Sequence, residues 1–586
     1  MEKWFIRNKK YDYKEIASEF EISEIVAKLL INRDIYEKKD IELFLNPQFD
    51  RLNSAELMKD LLKASDIIIQ KIKDKKRIRI VGDFDVDGIM SVYILYKGLK
   101  SFGAEVDYII PDRVIDGYGI NINIVNNAKE EGIDTIITCD NGIAAINQIK
   151  HAKELGMTVI VTDHHDIPYT EENNTKVYLS TDADAIINPK QLDCKYPFKS
   201  LCGAGVVYRF IRYLSDRLNL NNKDEYLEFV AIATICDVVD LVGENRIIVR
   251  KGLEALNSTK NIGLKALIDM CGVLNKEIGV YHVGFILGPT INASGRLDTA
   301  LYALELLLTE DMQLAYEMAK NLRDLNDDRR KMTIDGVDKV IDQIEAKKMQ
   351  KSKVLVVYEP DIHESIAGII AGRIKDKYNM PTIVLTKGIE GVKGSARSIE
   401  EYNMFEELSK CKDLLNRFGG HSMAAGLSLD EDNIDELRSR LNQYTILTEE
   451  DLIPKIYIDM QLPFEYINYK LINEIKILEP YGKGNSKPLF GEKNIRIKKG
   501  SLLGAKKNVL KLSLISSRGQ RMEGIIFNDI QSCLDDVKSK YGEVQLNNML
   551  NGIENNILVD ILYYPDVNEY NGNVSLQVII KNYRFN

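Results

Sequence analysis

Three aspartates at alternate positions are the residues of this chain best suited to chemistry. Asp83, Asp85 and Asp87 follow an apolar, β-branched run at residues 77–82 and precede Gly88. Such a run is typical of a buried parallel strand, and alternate residues of an extended backbone point the same way. Three ionised carboxylates on one face repel each other, so we expect a cation among them. The simpler interpretation is an acidic turn that caps a helix, for which one aspartate would suffice.

Alternating strands and helices must position these carboxylates. Amphipathic segments at 121–131 and 144–155 separate the predicted strands, which lie at residues 77–82, 106–110, 135–138, 158–162 and 185–187. The alternation predicts an α/β domain with an open parallel sheet and helices on both faces. Ligands bind such sheets at the carboxyl ends of the strands.

More polar groups follow the later elements of this region. Asp140 comes after the third strand, Asp163, His164 and His165 come after the fourth, and Asp237 follows a predicted helix. One aspartate at such a position is often only a helix cap, but several converging acids and imidazoles are hard to explain that way. Oxygen ligands with one or two histidines favour Mg²⁺ or Mn²⁺, with Mn²⁺ preferred, over zinc. The number of carboxylates indicates two ions that serve hydrolysis of a phosphoester or phosphoanhydride.

Two segments beyond the sheet complete the first half of the chain. Residues 287–296 predict a Gly- and Asn-rich loop that ends in Arg296; it is either a plain turn or presents the guanidinium to a phosphate. Residues 299–349 are charged and free of proline, which predicts a helical connector between two lobes. The charges at 327–330 within it are interpreted as a solvated face.

A second α/β domain is predicted from Val354 onward. Its loops combine small residues with donors that could hold an anion, namely His363, Arg373, Ser395, Arg397, Gly419, Gly420 and His421. A lone histidine is more often structural, but four of the six histidines of the chain lie in the motifs described so far.

The last region changes character near residue 455. Short alternating segments predict an antiparallel barrel or sandwich. Lys506, Lys507, Lys511 and Phe527 on its surface would suit an OB-type platform for single strands. The alternative is a β domain that only packs on the others.

Bulk properties exclude several classes of protein. A length of 586 residues predicts about three to four domains. The net charge of −10 argues against a generally basic surface, although a local groove of Lys and Arg would still bind nucleic acid. Seven cysteines without a Cys-x-x-Cys pair favour reduced thiols in a cytoplasm, and no apolar run is long enough to span a membrane.

The motifs resemble two known domain families. Asp163-His164-His165, preceded by Asp83-Phe84-Asp85-Val86-Asp87-Gly88, resembles the signature of the DHH phosphoesterase superfamily. That resemblance implies that the metal ligands are Asp83, Asp85, Asp87, Asp140, His164 and Asp237. It also places His165 near the metals or the scissile phosphate. The second α/β domain is similar to the DHHA1 domain, which binds substrate.

Nearly the whole chain resembles the RecJ family. Leu478-Glu479-Pro480-Tyr481-Gly482 is similar to the family's entry segment to its OB domain. Thr290, Ser365 and Ser486 stand where many members have Arg, Gly and Pro. The resemblance implies a 5′-to-3′ exonuclease that degrades single-stranded DNA to mononucleotides in repair and recombination. Two divalent ions would serve it, with His165, Asp140 and Arg296 as catalytic residues. It also implies a monomer that works with a helicase and a single-strand-binding protein.

The resemblance implies five segments. They are an N-terminal helical segment at 1–70, a DHH domain at 71–300, a helical connector at 301–350, a DHHA1 domain at 351–450 and an OB-like domain at 451–586. Two other functions stay open. One is a DHH-family oligoribonuclease or cyclic dinucleotide phosphodiesterase, and the other is a non-catalytic scaffold that binds single strands.

Overall fold

Residues 2–172, 175–220, 225–388, 391–504, 507–527, 529–570 and 572–586 are described by the computed structural model of the chain. The chain divides into two units, Met1–Gln48 with Lys455–Asn586 and Phe49–Pro454. The predicted N-terminal segment at 1–70 is split between them, because its first helices pack with the C-terminal part of the chain. The domain limits at residues 300, 350 and 450 remain predictions.

Five parallel strands form the first sheet, which confirms the predicted α/β fold. In spatial order they are Val106–Ile109, Ile78–Val81, Thr135–Cys139, Thr158–Thr162 and Ala185–Ile187. Alternate residues enter two cores, since Ile80 and Ile137 face one and Val81 and Ile136 face the other. Chain order reverses between Ile78–Val81 and Thr135–Cys139, and such sheets bind ligands at a reversal of this kind.

Helices cover and extend this sheet. Those up to residue 270 are Leu61–Lys73, Val86–Ser101, Ile122–Glu130, Ile146–Glu154, Gly203–Arg217, Leu227–Cys236, Gly243–Leu256 and Ile262–Met270. Tyr169–Glu172 and Thr175–Tyr178 form a separate antiparallel pair. The strands and helices predicted for this region lie within one or two residues of the observed ones.

A helix, and not the predicted Gly- and Asn-rich loop, carries Arg296. The short helix Val280–His282 leads into the π-helical turn Val283–Leu287 and then into the helix Gly288–Leu297. Small buried residues of this last helix pack against the helix Met312–Ala346, hereafter the long helix. The loop prediction is wrong because the small residues here serve close packing between helices and do not form a turn.

The helical connector consists of Leu301–Leu308 and the long helix, whose N-terminus is capped by the Asp311 side chain. The solvated face predicted at 327–330 is observed for Asp327, Asp328 and Arg330, which are exposed, but needs correction at Arg329, which is buried. Its guanidinium donates to Oδ1 of Asn326, at 2.8 Å from Nη2. Positions 326, 329 and 333 share the inner face of the long helix, as three- and four-residue spacings require.

The second α/β region has a mixed five-stranded sheet. In spatial order its strands are Leu415–His421, Ala424–Leu429, Val392–Arg397, Thr382–Lys387 and Leu355–Tyr358. Only the last two pair in parallel. Its helices are Ala367–Tyr378, Met404–Ser409 and Ile434–Tyr444.

The unit Met1–Gln48 with Lys455–Asn586 contains a closed five-stranded barrel, which confirms the OB-like prediction. Its strands are Phe490–Leu503, Val509–Ile515, Arg521–Ile526, Asn573–Phe585 and Leu558–Tyr570, and the last pairs again with the first. The remaining helices of the unit are Tyr13–Glu19, Glu24–Asn32, Lys38–Leu45, Tyr469–Lys476, Ile530–Tyr541 and Glu543–Asn551. The N-terminal helices share one core with the barrel. Strand Lys3–Ile6 pairs in parallel with Lys455–Ile458.

The barrel surface keeps part of the predicted platform. Lys507 and Phe527 are exposed and Lys511 is half-buried, whereas Lys506 lies outside the described residues. Within the described ranges, no helix combines the length and the apolarity that crossing a membrane requires.

Candidate metal centre

The carboxyl end of Ile78–Val81 delivers three aspartates to one place. Asp85 caps the helix Val86–Ser101, and its Oδ1 accepts from the Gly88 amide at 3.0 Å. Asp87 lies in the first turn of that helix. A side chain at Gly88 would collide with the Asp83 carbonyl, so only glycine allows this tight turn.

A second helix N-terminus fixes Asp87. The backbone amides of Gly203 and Ala204 donate to its two carboxylate oxygens at 2.6 and 2.7 Å. Gly203 also lies close to Asp140, since a Cβ there would stand 2.8 Å from Asp140 Oδ1. The start of Gly203–Arg217 therefore stabilises negative charge at the cluster.

His164 joins three of the carboxylates. Its Nε2 lies 3.1 Å from Asp140 Oδ1, 3.7 Å from Asp87 Oδ2 and 3.8 Å from Asp237 Oδ2. Asp140 takes a left-handed backbone conformation, with φ of +60°, directly after its strand ends. Asp237 ends the helix Leu227–Cys236. Four separate elements thus bring their terminal residues to one point.

These donors form overlapping groups of three. Within each group the ligand atoms lie within 4.8 Å of one another, and the groups are Asp83 with Asp85 and Asp140, Asp87 with His164 and Asp237, and Asp140 with His164 and His165. Asp140 and His164 each belong to two of them. The first two groups share no residue but lie side by side, since His164 Nε2 is 3.1 Å from Asp140 Oδ1. Two adjacent groups of this kind match the expectation for a pair of divalent ions.

Burial and mutual repulsion make the cluster unfavourable without cations. Burial, followed by the charge of neighbouring aspartates, raises the pKa of Asp83 and Asp140 well above the ordinary value. The same causes raise the pKa of Asp87 to about 7 and that of Asp237 to about 8. Burial lowers the pKa of His164 to about 3, so its imidazole is neutral and can act as a metal ligand.

The donor set fits divalent metal ions. Asp83 Oδ1, Asp140 Oδ1, His164 Nε2 and Asp237 Oδ2 are buried and make no aligned hydrogen bond within the described part of the chain. Buried polar atoms without a partner are costly, and a cation held by these four atoms would remove that cost. Carboxylate oxygens with one imidazole suit Mn²⁺ or Mg²⁺.

His165 has a different environment from His164. Its Nδ1 lies 2.7 Å from Asp163 Oδ1 and 4.0 Å from Asp140 Oδ1. Burial is the largest single influence and opposes protonation, but the hydrogen bond to Asp163 and the charges of Asp163, Asp237 and Asp87 together outweigh it and raise the pKa of His165 to about 9. The Tyr118 hydroxyl lies 3.3 Å from the same nitrogen and donates to the Asp140 carbonyl. His165 is therefore a cation at the rim of the acidic cluster.

Asp163 orients His165 and is not a member of the three groups of ligand atoms. The backbone amides of Ile143, His164 and His165 all donate to its carboxylate. Burial alone would raise its pKa, but the His165 hydrogen bond and charge lower it to about 2. The first residue of Asp-His-His thus orients the third.

Two arginines, Arg113 and Arg296, lie near the aspartate motif. The Arg113 guanidinium lies 3.8 Å from the centre of the Phe84 ring, and its Nε donates to the Gly295 carbonyl at 3.0 Å. Arg296 Nη1 donates to the Ser365 carbonyl at 2.7 Å. Burial, then the charge of Arg113, lowers the pKa of Arg296 to about 9. Both cations lie near enough to feel the charge of Asp85.

The residues predicted to bind substrate form a second cluster. His363 Nδ1 lies 2.7 Å from the Ser365 hydroxyl, and Arg397 Nη1 lies 3.5 Å from the Ser395 hydroxyl. A Cβ on Gly368 would stand 2.8 Å from both Ser395 Oγ and Arg397 Nη2, so its absence leaves a small space beneath them.

The remaining predicted residues lie on exposed surface nearby. Gly419, Gly420 and His421 end the strand Leu415–His421. The hydrogen bond to Lys190 is the main cause that lowers the pKa of Asp166, and the charge of nearby His421 acts in the same direction. Arg373 is exposed on the helix Ala367–Tyr378. The roles of these residues in binding remain predictions.

Comparison with known domain families accounts for most of the chain. The N-terminal domain of the DHH family matches residues 77–234, the DHHA1 domain matches residues 351–446, and the RecJ OB domain matches residues 458–582.

Individual relatives match over the full length. The single-stranded-DNA-specific exonuclease RecJ of Bacillus subtilis is 37% identical, over 99% of this chain and 70% of that protein. The Escherichia coli protein of the same name is 31% identical, over 96% of each chain. The chain belongs to the RecJ family. A crystal structure of Thermus thermophilus RecJ in complex with Mn²⁺ superposes with a TM-score of 0.82 at 27% identity, over 99% of this chain and 79% of that one.

Membership of the RecJ family confirms the predicted order of DHH, DHHA1 and OB domains. Sequence reasoning did not identify the supporting residues of the centre, namely Asp163, Arg113, Tyr118 and Asn292. The Asn292 side chain accepts from the Val86 amide at 3.1 Å and so braces the aspartate-bearing turn. Asp163 stands in the Asp-His-His motif and Asn292 in the segment 287–296, but nothing in the sequence shows that these side chains support the ligands.

Proposed function

We propose that this chain is an exonuclease that hydrolyses single-stranded DNA from its 5′ end and releases mononucleotides. The observation that carries the proposal is the convergence of Asp83, Asp85, Asp87, Asp140, His164 and Asp237 in a chain of the RecJ family. Two divalent ions, Mn²⁺ by preference or Mg²⁺, would supply an activated water and neutralise charge at the phosphodiester.

Different residues of the chain would bind the ions, donate a hydrogen bond to the phosphate and balance its charge. Asp83, Asp85 and Asp140 would hold one ion, and Asp87, His164 and Asp237 would hold the other. His165, kept protonated by Asp163, would donate a hydrogen bond to a phosphoryl oxygen. Arg113 and Arg296 would balance the negative charge that develops there.

The second cluster would hold the 5′ end of the strand. Ser395, Arg397 and the space above Gly368 offer a hydroxyl, a guanidinium and room for phosphate oxygens. His363, Arg373, Gly419, Gly420 and His421 would complete this binding surface. The OB domain would bind the strand further along by charge and stacking.

The proposal extends to the compartment and the partners of the enzyme. All seven cysteines are free, which suits a reducing cytoplasm. We propose that the protein acts as a monomer in repair and recombination, with a helicase and a single-strand-binding protein as partners. The oligoribonuclease or cyclic dinucleotide alternative is not favoured, since an OB domain extends the two lobes. A non-catalytic scaffold is not favoured either, because every predicted ligand is present.

Hydrolysis of end-labelled DNA tests this proposal. Single strands labelled at the 5′ or the 3′ end are incubated with Mn²⁺, beside blunt duplex, a short RNA and a cyclic dinucleotide. We expect early release of a labelled mononucleotide from the 5′ end only. Chelation of the ions and Asp140→Ala should each abolish it, whereas Asp376→Ala, an exposed aspartate elsewhere in the same unit, should not. Faster cleavage of the RNA or the cyclic dinucleotide would contradict the proposal.

A further inference from the structure

Two aromatic rings are exposed on the segment that leads into the helix Gly288–Leu297. Tyr281 and Phe285 are 65% and 72% exposed, although large aromatic side chains are normally buried. Their ring centroids lie 5.2 Å apart with an interplanar angle of 25°, so the rings stack on each other. The pair presents flat, open aromatic surface to solvent.

The local backbone forces both rings outward. Phe285 lies in the π-helical turn Val283–Leu287, whose first and last residues are buried. A π-turn inside a helix is uncommon and is often found at functional sites. Because Val283 and Leu287 anchor the turn, Phe285 between them is held away from the core at a fixed orientation.

The turn lies directly against the helix that ends in Asp237. Gly284 approaches Ile235, and a side chain at Gly288 would collide with Cys236 Sγ. The next residue after Cys236 is Asp237, a member of the metal-binding cluster. Val238 then follows, 59% exposed and with φ of +58°, a conformation that is strained for a β-branched residue. The segment that carries the aromatic pair therefore packs against the helix whose end bears Asp237.

A cation borders the pair. His282 packs edge-on against Tyr281, with ring centroids 5.9 Å apart. Burial is the main cause that lowers the pKa of His282, and the charge of the nearby, exposed Lys276 is the second. A ligand that carries both flat apolar faces and negative charge would match this combination.

We propose that Tyr281 and Phe285 form a stacking platform for the bases of a single strand that leads to the metal centre. The proposal rests on the proposed function and adds to it a binding surface in the catalytic region. Every base has a flat face, so stacking holds a strand without regard to sequence. A duplex hides these faces between its base pairs, so the platform would also favour single strands.

Affinity measurements test the platform in a background that cannot degrade the strand. Binding of oligo(dT) is measured for Asp140→Ala alone and for Asp140→Ala with Phe285→Ala or Tyr281→Ala. We expect the Kd to rise about tenfold for each added change, because stacking contributes on this scale per base. Phe285→Trp should keep the affinity of the background protein. Ile446→Ala removes an apolar side chain that is 88% exposed in the same unit, and it should change nothing.

A fluorescent reporter shows whether bases touch the platform. The chain has one tryptophan, Trp4, so Trp4→Phe combined with Phe285→Trp places a single indole in the turn. We expect oligo(dT) to quench its emission and blunt duplex to leave it unchanged. Unaltered affinity in the alanine variants together with no quenching would overturn the platform, and a protein partner would then be the better occupant. If the unmodified enzyme neither binds nor cleaves single strands, the proposed function itself fails and the platform fails with it.

Discussion

His164 and His165 are neighbours in the chain and carry different charges. His164 Nε2 is buried among carboxylates without an aligned hydrogen-bond partner in the described part of the chain, and the imidazole stays neutral. His165 reaches Asp163, which holds it protonated. One side chain is thus suited to bind a metal ion and the other to meet an anion. Environment, and not residue type, assigns the two roles.

Asp163→Asn should separate these roles. An asparagine leaves His165 without its ion pair, so the pKa of that imidazole should fall from about 9 towards its ordinary value. We expect kcat on single-stranded DNA to fall about 100-fold at neutral pH. Mn²⁺ affinity, followed by calorimetry, should change little because Asp163 is outside the groups of ligand atoms. Asp182→Asn at an exposed position is the control, and equal kcat values for the two variants would contradict the assignment.

At the scale of elements, close backbone contacts hold the centre together. Gly295 in the helix Gly288–Leu297 lies against the carbonyl of Phe84, in the middle of the aspartate motif. In the same helix, the Asn292 side chain accepts from the Val86 amide and the Gly295 carbonyl accepts from Arg113 Nε. Because Gly295 has no side chain, the backbone of this helix packs directly against the aspartate motif.

Gly295→Ala should destabilise the unit Phe49–Pro454. A methyl group there would overlap the Phe84 carbonyl, and neither backbone can move away easily, so we expect a loss of about 2 kcal/mol in unfolding free energy. Gly372→Ala is the matched control, because no atom lies within 4 Å of the added methyl and its helix should gain up to about 1 kcal/mol. Denaturant titration measures both. A stable Gly295→Ala protein would mean that the helix can shift.

A buried carboxyl in the barrel should make its stability depend on pH. Glu492 accepts from the Phe464 amide at 2.9 Å, and burial raises its pKa to about 7. Between pH 4.5 and 7 the unfolded chain is ionised at this position while the folded chain is protonated. Folding then takes up a proton, so this group lowers stability as pH rises through that window.

Glu492→Gln should remove that dependence. Its amide oxygen still accepts from Phe464, but no charge forms at high pH. We expect the variant to equal the unmodified protein near pH 4.5 and to exceed its stability by on the order of 1–2 kcal/mol at pH 8. Urea unfolding at a series of pH values measures the difference. A constant difference across the series would show that Glu492 does not titrate in this range.

Strand positions and the ligand set were accessible from sequence, and several contacts were not. A β-branched apolar run is recognisable in the sequence as a buried parallel strand. A parallel sheet brings the carboxyl ends of its strands, and the aspartates that follow them, to one edge. The helix at Gly288–Leu297 was missed because its glycines mark close packing, which local pattern does not distinguish from a turn. The burial of Arg329 was missed because its inward face depends on which neighbours the long helix packs against.

At the scale of the whole molecule, the N-terminal segment and the barrel form one unit. Arg33 pairs with Asp459 at 3.4 Å, with both side chains nearly inaccessible. It also donates to the Asn485 side chain and the Ser486 carbonyl. The sequence indicated helices before residue 48 but gave no sign that they return to a barrel beyond residue 455, because pairing between distant segments leaves no local pattern.

Arg33→Ala should therefore destabilise this unit. The change leaves Asp459 buried without its cation, so we expect a loss of about 3–5 kcal/mol. Lys9→Ala removes an exposed partner of Asp34 and should cost less than about 1 kcal/mol. Thermal unfolding followed by the emission of Trp4, which lies in this unit, reports on both. Equal midpoints for the two variants would contradict the importance of the Arg33 pair.

The parallel pairing of Lys3–Ile6 with Lys455–Ile458 fixes the order in which the molecule can be completed. A ribosome releases the first strand and its helices before all of Phe49–Pro454, which takes on the order of half a minute to synthesise. During that time the apolar faces of those helices have no barrel to cover them. The unit that contains these helices therefore closes only after Phe49–Pro454 has been made, and its first segment needs protection from aggregation until Lys455–Asn586 has followed.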